Sequence, residues 1–132
     1  MLKRIDHIGV VVDDLASARR FLEGIGFEHS HDLEVPERGL HASFWKCGDA
    51  SIELLQMDDQ NANRDRLQGE SMARIEHICV EVDDIERTVH DMQAKGLQFT
   101  SGPSTIGKNT SVWSQPESSD GYQLQFMQKG SA

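Results

Sequence analysis

The chain has 132 residues, a formal net charge of -9 and 37% hydrophobic residues, which suits one compact domain or two small fused modules. The acidic balance argues against a nucleic-acid partner, and no apolar run approaches the about 20 residues of a membrane span. Cys47 and Cys79 support no disulfide framework and the N-terminus shows no signal-peptide pattern, so a cytoplasmic protein with reduced thiols is expected.

Ile5 to Val12 has the β-branched content of a strand, with His7, Gly9 and Val11 on one face and Ile8, Val10 and Val12 on the other. Asp13 or Asp14 can cap a helix from Leu15, in which Leu15, Ala18, Phe21, Leu22 and Ile25 follow the helical period until Gly24 and Gly26 end it. Strands are expected at Phe27 to Val35, Leu40 to Cys47 and Ser51 to Gln56, with turns at Pro36–Gly39 and Gly48–Asp49. Residues 57–72 are polar and lack strand periodicity. They read as a linker with a helical turn near Arg64 to Leu67.

The chain then repeats itself. RIDHIGVVVDD at 4–14 returns as RIEHICVEVDD at 74–84, 70 residues later and identical at 8 of 11 positions, which marks two copies of one unit. The second copy predicts a strand at Arg74 to Val82, a helix from Asp84 to Lys95 with Ile85, Val89 and Met92 inward, and strands at Leu97 to Ser101, Thr110 to Gln115 and Tyr122 to Gln128. The fold class expected is α+β: two tandem βαβββ modules whose curved mixed sheets carry helices outside and share a concave site. Module 1 spans 1–56, the linker 57–72 and module 2 73–129, all within one domain.

The repeat directs attention to four positions. His7 and His77 are equivalent, and the last strand of each module places one polar residue on the matching face, Glu53 between Ile52 and Leu54, and Gln125 between Leu124 and Phe126. Two imidazoles, a carboxylate and an amide oxygen suit one divalent ion such as Zn, Ni, Co, Fe or Mn. For proton transfer the sequence offers Glu53, His41 and Glu81. His41 should point away from the cavity as a surface histidine, and Glu81 reads as a solvated rim residue. His29 and His31 form an H-x-H pair on one strand face, more often an exposed surface than a metal clip. Asp13–Asp14 and Asp83–Asp84 read as helix caps. Lys108 and Asn109 lie in a glycine-containing loop that could meet an anionic group of a substrate. Trp45 and Trp113 fall on matching strands, as core or cavity wall.

At RIDHIGVVVDDLASA, IELLQ, IEHICVEVDDI and DGYQLQF the chain resembles the vicinal oxygen chelate (glyoxalase/bleomycin resistance/dioxygenase) superfamily over nearly its whole length. VPERG and IEHICVEVDDI are most similar to its methylmalonyl-CoA epimerase branch. The resemblance implies the glyoxalase fold, a divalent metal on His7, Glu53, His77 and Gln125, and a small-molecule substrate, such as an acyl-CoA, bound through vicinal oxygens. It implies enolate stabilisation by an epimerase or isomerase that is a homodimer, with Glu53 the ligand most able to act also as a base. A glyoxalase I-type lyase and a non-catalytic binding or resistance protein are the alternatives on the same scaffold. Two departures stand out. The superfamily usually has Glu where this chain has Gln125, and the epimerases' general-base Glu aligns with Ala42.

Overall fold

The computed structural model describes residues 1–130, which form two compact units. One runs from His7 to Glu76, and the other joins Met1–Asp6 to the chain from His77 onward.

The His7–Glu76 unit holds most of β1 (Leu2–Val12), then α1 (Leu15–Gly24), β2 (Glu28–Val35), β3 (Leu40–Cys47), β4 (Ala50–Met57), α2 (Gln60–Leu67) and the start of β5 (Ala73–Val82). Its strands lie in the order β2-β3-β4-β1, with β1 parallel to β4 and the other pairs antiparallel. Alternation sorts the side chains as the sequence predicts. Val10, Val12, Ile52, Leu54 and Trp45 face α1 and pack on Leu15, Ala18 and Leu22, while Val11, Ala42 and Leu55 occupy the opposite face.

Phe21 and Ile25 depart from the expected stripe: they are 64% and 59% exposed. Ile25 is already the C-cap residue, and Phe21 projects about 90° from the Leu15–Ala18–Leu22 line at 100° per residue.

The expected linker contains a full helix. Asp59 caps α2 by accepting from the Asn61 and Ala62 amides. Buried Asn63 then pins the helix, accepting from the Met57 amide at 2.9 Å and donating to the Val12 carbonyl at 2.9 Å. Leu67 joins Val11, Ala42 and Leu55. With only Asn63 and Leu67 buried, α2 has no apolar stripe for a periodicity argument to find. Arg66, next to Leu67, makes a two-pronged ion pair with Glu76 at 2.7 and 2.8 Å, with Arg74 4.0 Å from the same carboxylate.

The second unit carries β5 from His77 on, α3 (Ile85–Ala94), β6 (Ser104–Ile106), β7 (Asn109–Trp113) and β8 (Leu124–Gln128) in the order β5-β8-β7-β6. Val80, Val82, Val112, Leu124 and Phe126 pack against Ile85, Val89 and Met92. The strand expected at Leu97 to Ser101 is corrected. Phe99 makes a single bridge to Ser114, Gly102–Pro103 breaks the run, and pairing with β7 resumes only at β6. Gly107, at φ 62°, supplies the left-handed residue that turns β6 into β7.

α1 and α3 begin at the second Asp of each repeated pair, as the sequence predicts. Asp14 accepts from the Ser17 amide and Asp84 from the Arg87 amide, each at 3.1 Å. A second repeated device escaped the sequence reading. Gln56, near the end of β4, accepts the Leu15 amide at 2.9 Å, and Gln128, at the end of β8, accepts the Ile85 amide at 2.8 Å. Each ties the last strand of a βαβββ motif to the first turn of its helix.

Burial works against a charged Asp32, but hydrogen bonds from His29, Arg19 and Ser43 outweigh it and hold the carboxyl at about 2, down from 3.8. A depressed carboxylate stabilises the fold above its unfolded value and loses that contribution as pH falls through its folded value. Asp32→Asn therefore lowers the melting temperature at pH 7, by an amount equivalent to about 0.5–1 kcal/mol for so exposed a pair, and the gap to wild type closes between pH 4 and pH 2. Arg66→Met removes both charge-assisted hydrogen bonds from Arg66 to the buried Glu76 carboxylate and costs about 3 kcal/mol. In urea titrations Arg66→Met with Glu76→Leu recovers most of that loss, and a double variant no more stable than the single one would show that the pair is not the cause.

Candidate functional site

Within the His7–Glu76 unit, register sets the geometry. Ile8, Gly9 and Val10 on β1 lie beside Ile52, Glu53 and Leu54 on β4. Since α1 occupies the Val10–Leu54 face, His7 and Glu53 project from the other one. There Nε2 of His7 lies 3.2 Å from Oε1 of Glu53. Phe44, the β3 partner of Glu53, meets the His7 ring edge-on at 5.5 Å.

The second unit repeats the register. Cys79 on β5, two residues past His77 as Gly9 is two past His7, lies beside Gln125 on β8. Trp113, the β7 partner of Gln125, meets His77 edge-on at 4.7 Å. The amide nitrogen of Gln125 donates to Ser111 Oγ at 2.9 Å, which leaves the amide oxygen as the atom able to bind a cation. His7, Glu53, His77 and Gln125 are each 8% exposed or less. The two tryptophans are not equivalent, since Trp45 packs on the helix side with Leu22 and Phe44 is the counterpart of Trp113.

The remaining sequence candidates fall in various places. Ala42 is sealed in the Val11–Leu55–Leu67 cluster, so that position offers no base. His41 is on the surface as expected, where the hydrogen bond to Asp58, and then Glu34, raises its pKa. A 620 Å³ cleft beside it is lined by Asp13, Asp14, Gln56, Asp58, Asn63 and Arg64, among others.

Glu81 is corrected: it is a buried carboxylate, not a solvated rim residue. It shares the inner face of β5 with His77 and is held by Arg4 at 3.1 Å, Lys3 at 3.4 Å and Lys129 at 3.7 Å. Those cations lie near the two ends of the chain, which a local reading does not bring together. Lys108 sits in the exposed β6–β7 turn, and Asn109 opens β7 on the face of Ser111 and Trp113.

The expectation that His29 and His31 share a face is also corrected. His29 pairs with Trp45 and His31 with Phe44, so Ser30 is the extra residue of a β-bulge. His29 turns to the helix side, with its ring 5.0 Å from Trp45 and Nε2 bonded to Asp32 at 2.8 Å. His31 turns to the inner face and stacks on Phe44 at 4.5 Å and 10°. Nothing local in EHSHDLEV marks the bulge.

Comparison with known proteins identifies the family. Residues 6–113 match the Glyoxalase/Bleomycin resistance protein/Dioxygenase superfamily. The chain is 31% identical over 108 residues to the mitochondrial methylmalonyl-CoA epimerase of Bos taurus and 32% identical over 108 to that of Homo sapiens, covering 80% of this chain and 62% and 61% of theirs. It thus spans about three-fifths of the length of those relatives. Its fold matches methylmalonyl-CoA epimerase from Mycobacterium tuberculosis with a TM-score of 0.86 at 16% identity, over 98% of this chain and 90% of that one. A methylmalonyl-CoA epimerase in complex with methylmalonyl-CoA and NH4+ gives 0.86 at 22% identity, over 98% and 96%. With its duplicated βαβββ order, its glyoxalase-type fold and this match across most of its length, the chain belongs to the Glyoxalase/Bleomycin resistance protein/Dioxygenase superfamily.

Proposed function

We propose that the protein is a metal-dependent, epimerase-like enzyme in which His7, Glu53, His77 and Gln125 hold one divalent ion and the substrate is an acyl-CoA. The observation that carries this reading is the matched register: in each unit a buried histidine is followed, two residues on, by a residue lying beside a buried oxygen donor. The donor set fits the group. Two imidazoles, one carboxylate and one amide oxygen suit Zn, Ni, Co, Fe or Mn better than Mg or Ca, which prefer all-oxygen sites. The Phe44 and Trp113 edges orient the two histidine rings, and Ser111 orients Gln125, as supporting side chains do around metal ligands.

A bound divalent ion supplies positive charge beside a substrate carbonyl oxygen, where negative charge develops as an α-proton leaves. The chain's own residues do the rest. Glu53 compensates charge beside His7 and, alone among the four, has a carboxylate able to take up a proton. Phe44 beside His7, and Trp113 beside His77, each give an apolar neighbour that sheds water. Lys108 and Asn109, at the β6–β7 turn, are assigned to the anionic part of the substrate. A cytoplasmic homodimer belongs to the same proposal. Among the described residues no helix is long and apolar enough to cross a membrane.

One observation favours a second reading. Ala42 lies sealed beneath Leu67, so a protein that binds a small molecule without turning it over is the rival, ahead of a glyoxalase I-type lyase on the same metal. Metal analysis of protein purified without chelator, alongside proton exchange of methylmalonyl-CoA in deuterated water, decides between them. The enzyme reading expects about one equivalent of a divalent metal, as in other single-ion sites, absent from His7→Ala and His77→Ala together with the exchange. Metal-free wild type that gains no thermal stability from Zn, Ni, Co or Mn, yet binds the thioester, would establish the binder.

A further inference from the structure

We propose, resting on the enolate chemistry above, that His31 is the proton acceptor, brought to the site by the β2 bulge in place of the carboxylate missing at Ala42. Ser30 is the extra residue, and its insertion reverses the facing of His29 relative to an unbroken strand. From His31 on, β2 is in phase with the inner face: Leu33 packs with Ala42 and Leu55. The cross-strand row that results is His31, Phe44 and Glu53, each the register partner of the next. The next row is Leu33, Ala42 and Leu55. His31 is therefore the diagonal neighbour of Ala42, a spacing of about 7–8 Å between backbones.

The chemistry of the ring fits the role. Its flat face rests on Phe44 at 4.5 Å and 10°, which fixes the ring plane. Nδ1 is held by Ser30 Oγ at 2.9 Å, so the bulge residue itself orients the imidazole. The residue is exposed, and its Nε2 has no protein partner among the described residues. His31 and Glu53 are two strands apart, about 10 Å between backbones, which leaves space for a substrate carbon between imidazole and ligand carboxylate. Besides His31, the titratable side chain of this row is Glu53, which is engaged with His7, and Phe44 between them carries no acid or base.

In the step proposed, the Nε2 lone pair takes the α-proton. The C–H electron pair becomes the second bond between the α-carbon and the acyl carbon, and the carbonyl π electrons move onto oxygen. Return of a proton from the imidazolium, after exchange with solvent, restores the C–H bond and the neutral ring. No oxidant or further reactant is needed.

The test compares three holoproteins for α-proton exchange of methylmalonyl-CoA in deuterated water, with metal content and melting temperature measured on each. His31→Phe keeps a flat ring over Phe44 and removes both nitrogens. Its kcat for exchange should fall about 100-fold or more, as expected for loss of a general base, with KM, metal and melting temperature near wild type. His31→Ala should lose as much and regain exchange when free imidazole is added, since the site opens to solvent. Wild-type exchange in His31→Phe overturns the assignment, and so does a deficit in His31→Ala that imidazole leaves unchanged. A wild-type protein that carries metal and exchanges nothing overturns the enolate reading itself, a different result because it is then the parent, not the variant, that is silent.

Discussion

A strand can turn each side chain to only one of its two faces, and in both units a helix claims one of them. α1 takes Val10, Val12, Leu54 and Trp45, and α3 takes Val80, Val82, Val112 and Phe126. What remains for chemistry is the other face, filled by default with the intervening residues. Register then decides which of these meet. A slip of one residue between β1 and β4 would send Glu53 to the helix side and a leucine to the histidine. The structure guards against this through Gln56 and Gln128. By accepting the first helical amides, they fasten the end of each last strand to the chain that follows each first strand. These glutamines satisfy helix N-termini and also fix the position of the strands that carry Glu53 and Gln125.

Duplication supplies the scaffold, but the two inner faces differ beyond the donor residues. In the first unit the residue four past the histidine is Val11, and with Ala42, Leu55 and Leu67 it makes an apolar plug under α2. In the second that position is Glu81, buried and surrounded by Arg4, Lys3 and Lys129. Its oxygens are taken up by those cations, so this carboxylate ties the two ends of the chain to β5. Burial under Leu67 likewise accounts for alanine at 42, since a charged side chain there would have to displace the plug or lose its hydration.

The parts of this arrangement that were legible in the sequence are those set by short-range periodicity and by the repeat. The alternation of Ile8–Val12, the Asp14 and Asp84 caps and the equivalence of Glu53 with Gln125 all follow from local pattern. What escaped the reading depends on residues far apart or on a single insertion. α2 is polar except at Ala62 and Leu67, and its anchor is an asparagine bonded to two strand ends. Phe21 is as apolar as a core residue but lies off the short helix's buried line. Glu81 looks like a rim residue until both ends of the chain fold back upon it. The bulge at Ser30 is invisible because His29 and His31 satisfy strand alternation as written.

That bulge also bears on how the site's charge is distributed. A divalent ion held by one carboxylate and three neutral groups would retain a net positive charge, whereas two carboxylates would cancel it. In the proposed site, Gln125 in place of a glutamate would thus favour stabilising an oxyanion at the cost of a potential proton acceptor. Ala42, packed among Val11, Leu55 and Leu67, likewise adds no negative charge. A neutral imidazole is the base that suits such a site, since it takes up a proton without placing another negative charge beside the oxyanion. β2 supplies one at His31 through an irregularity that costs a strand its even pairing, and Ser30 both creates the irregularity and holds the ring it delivers.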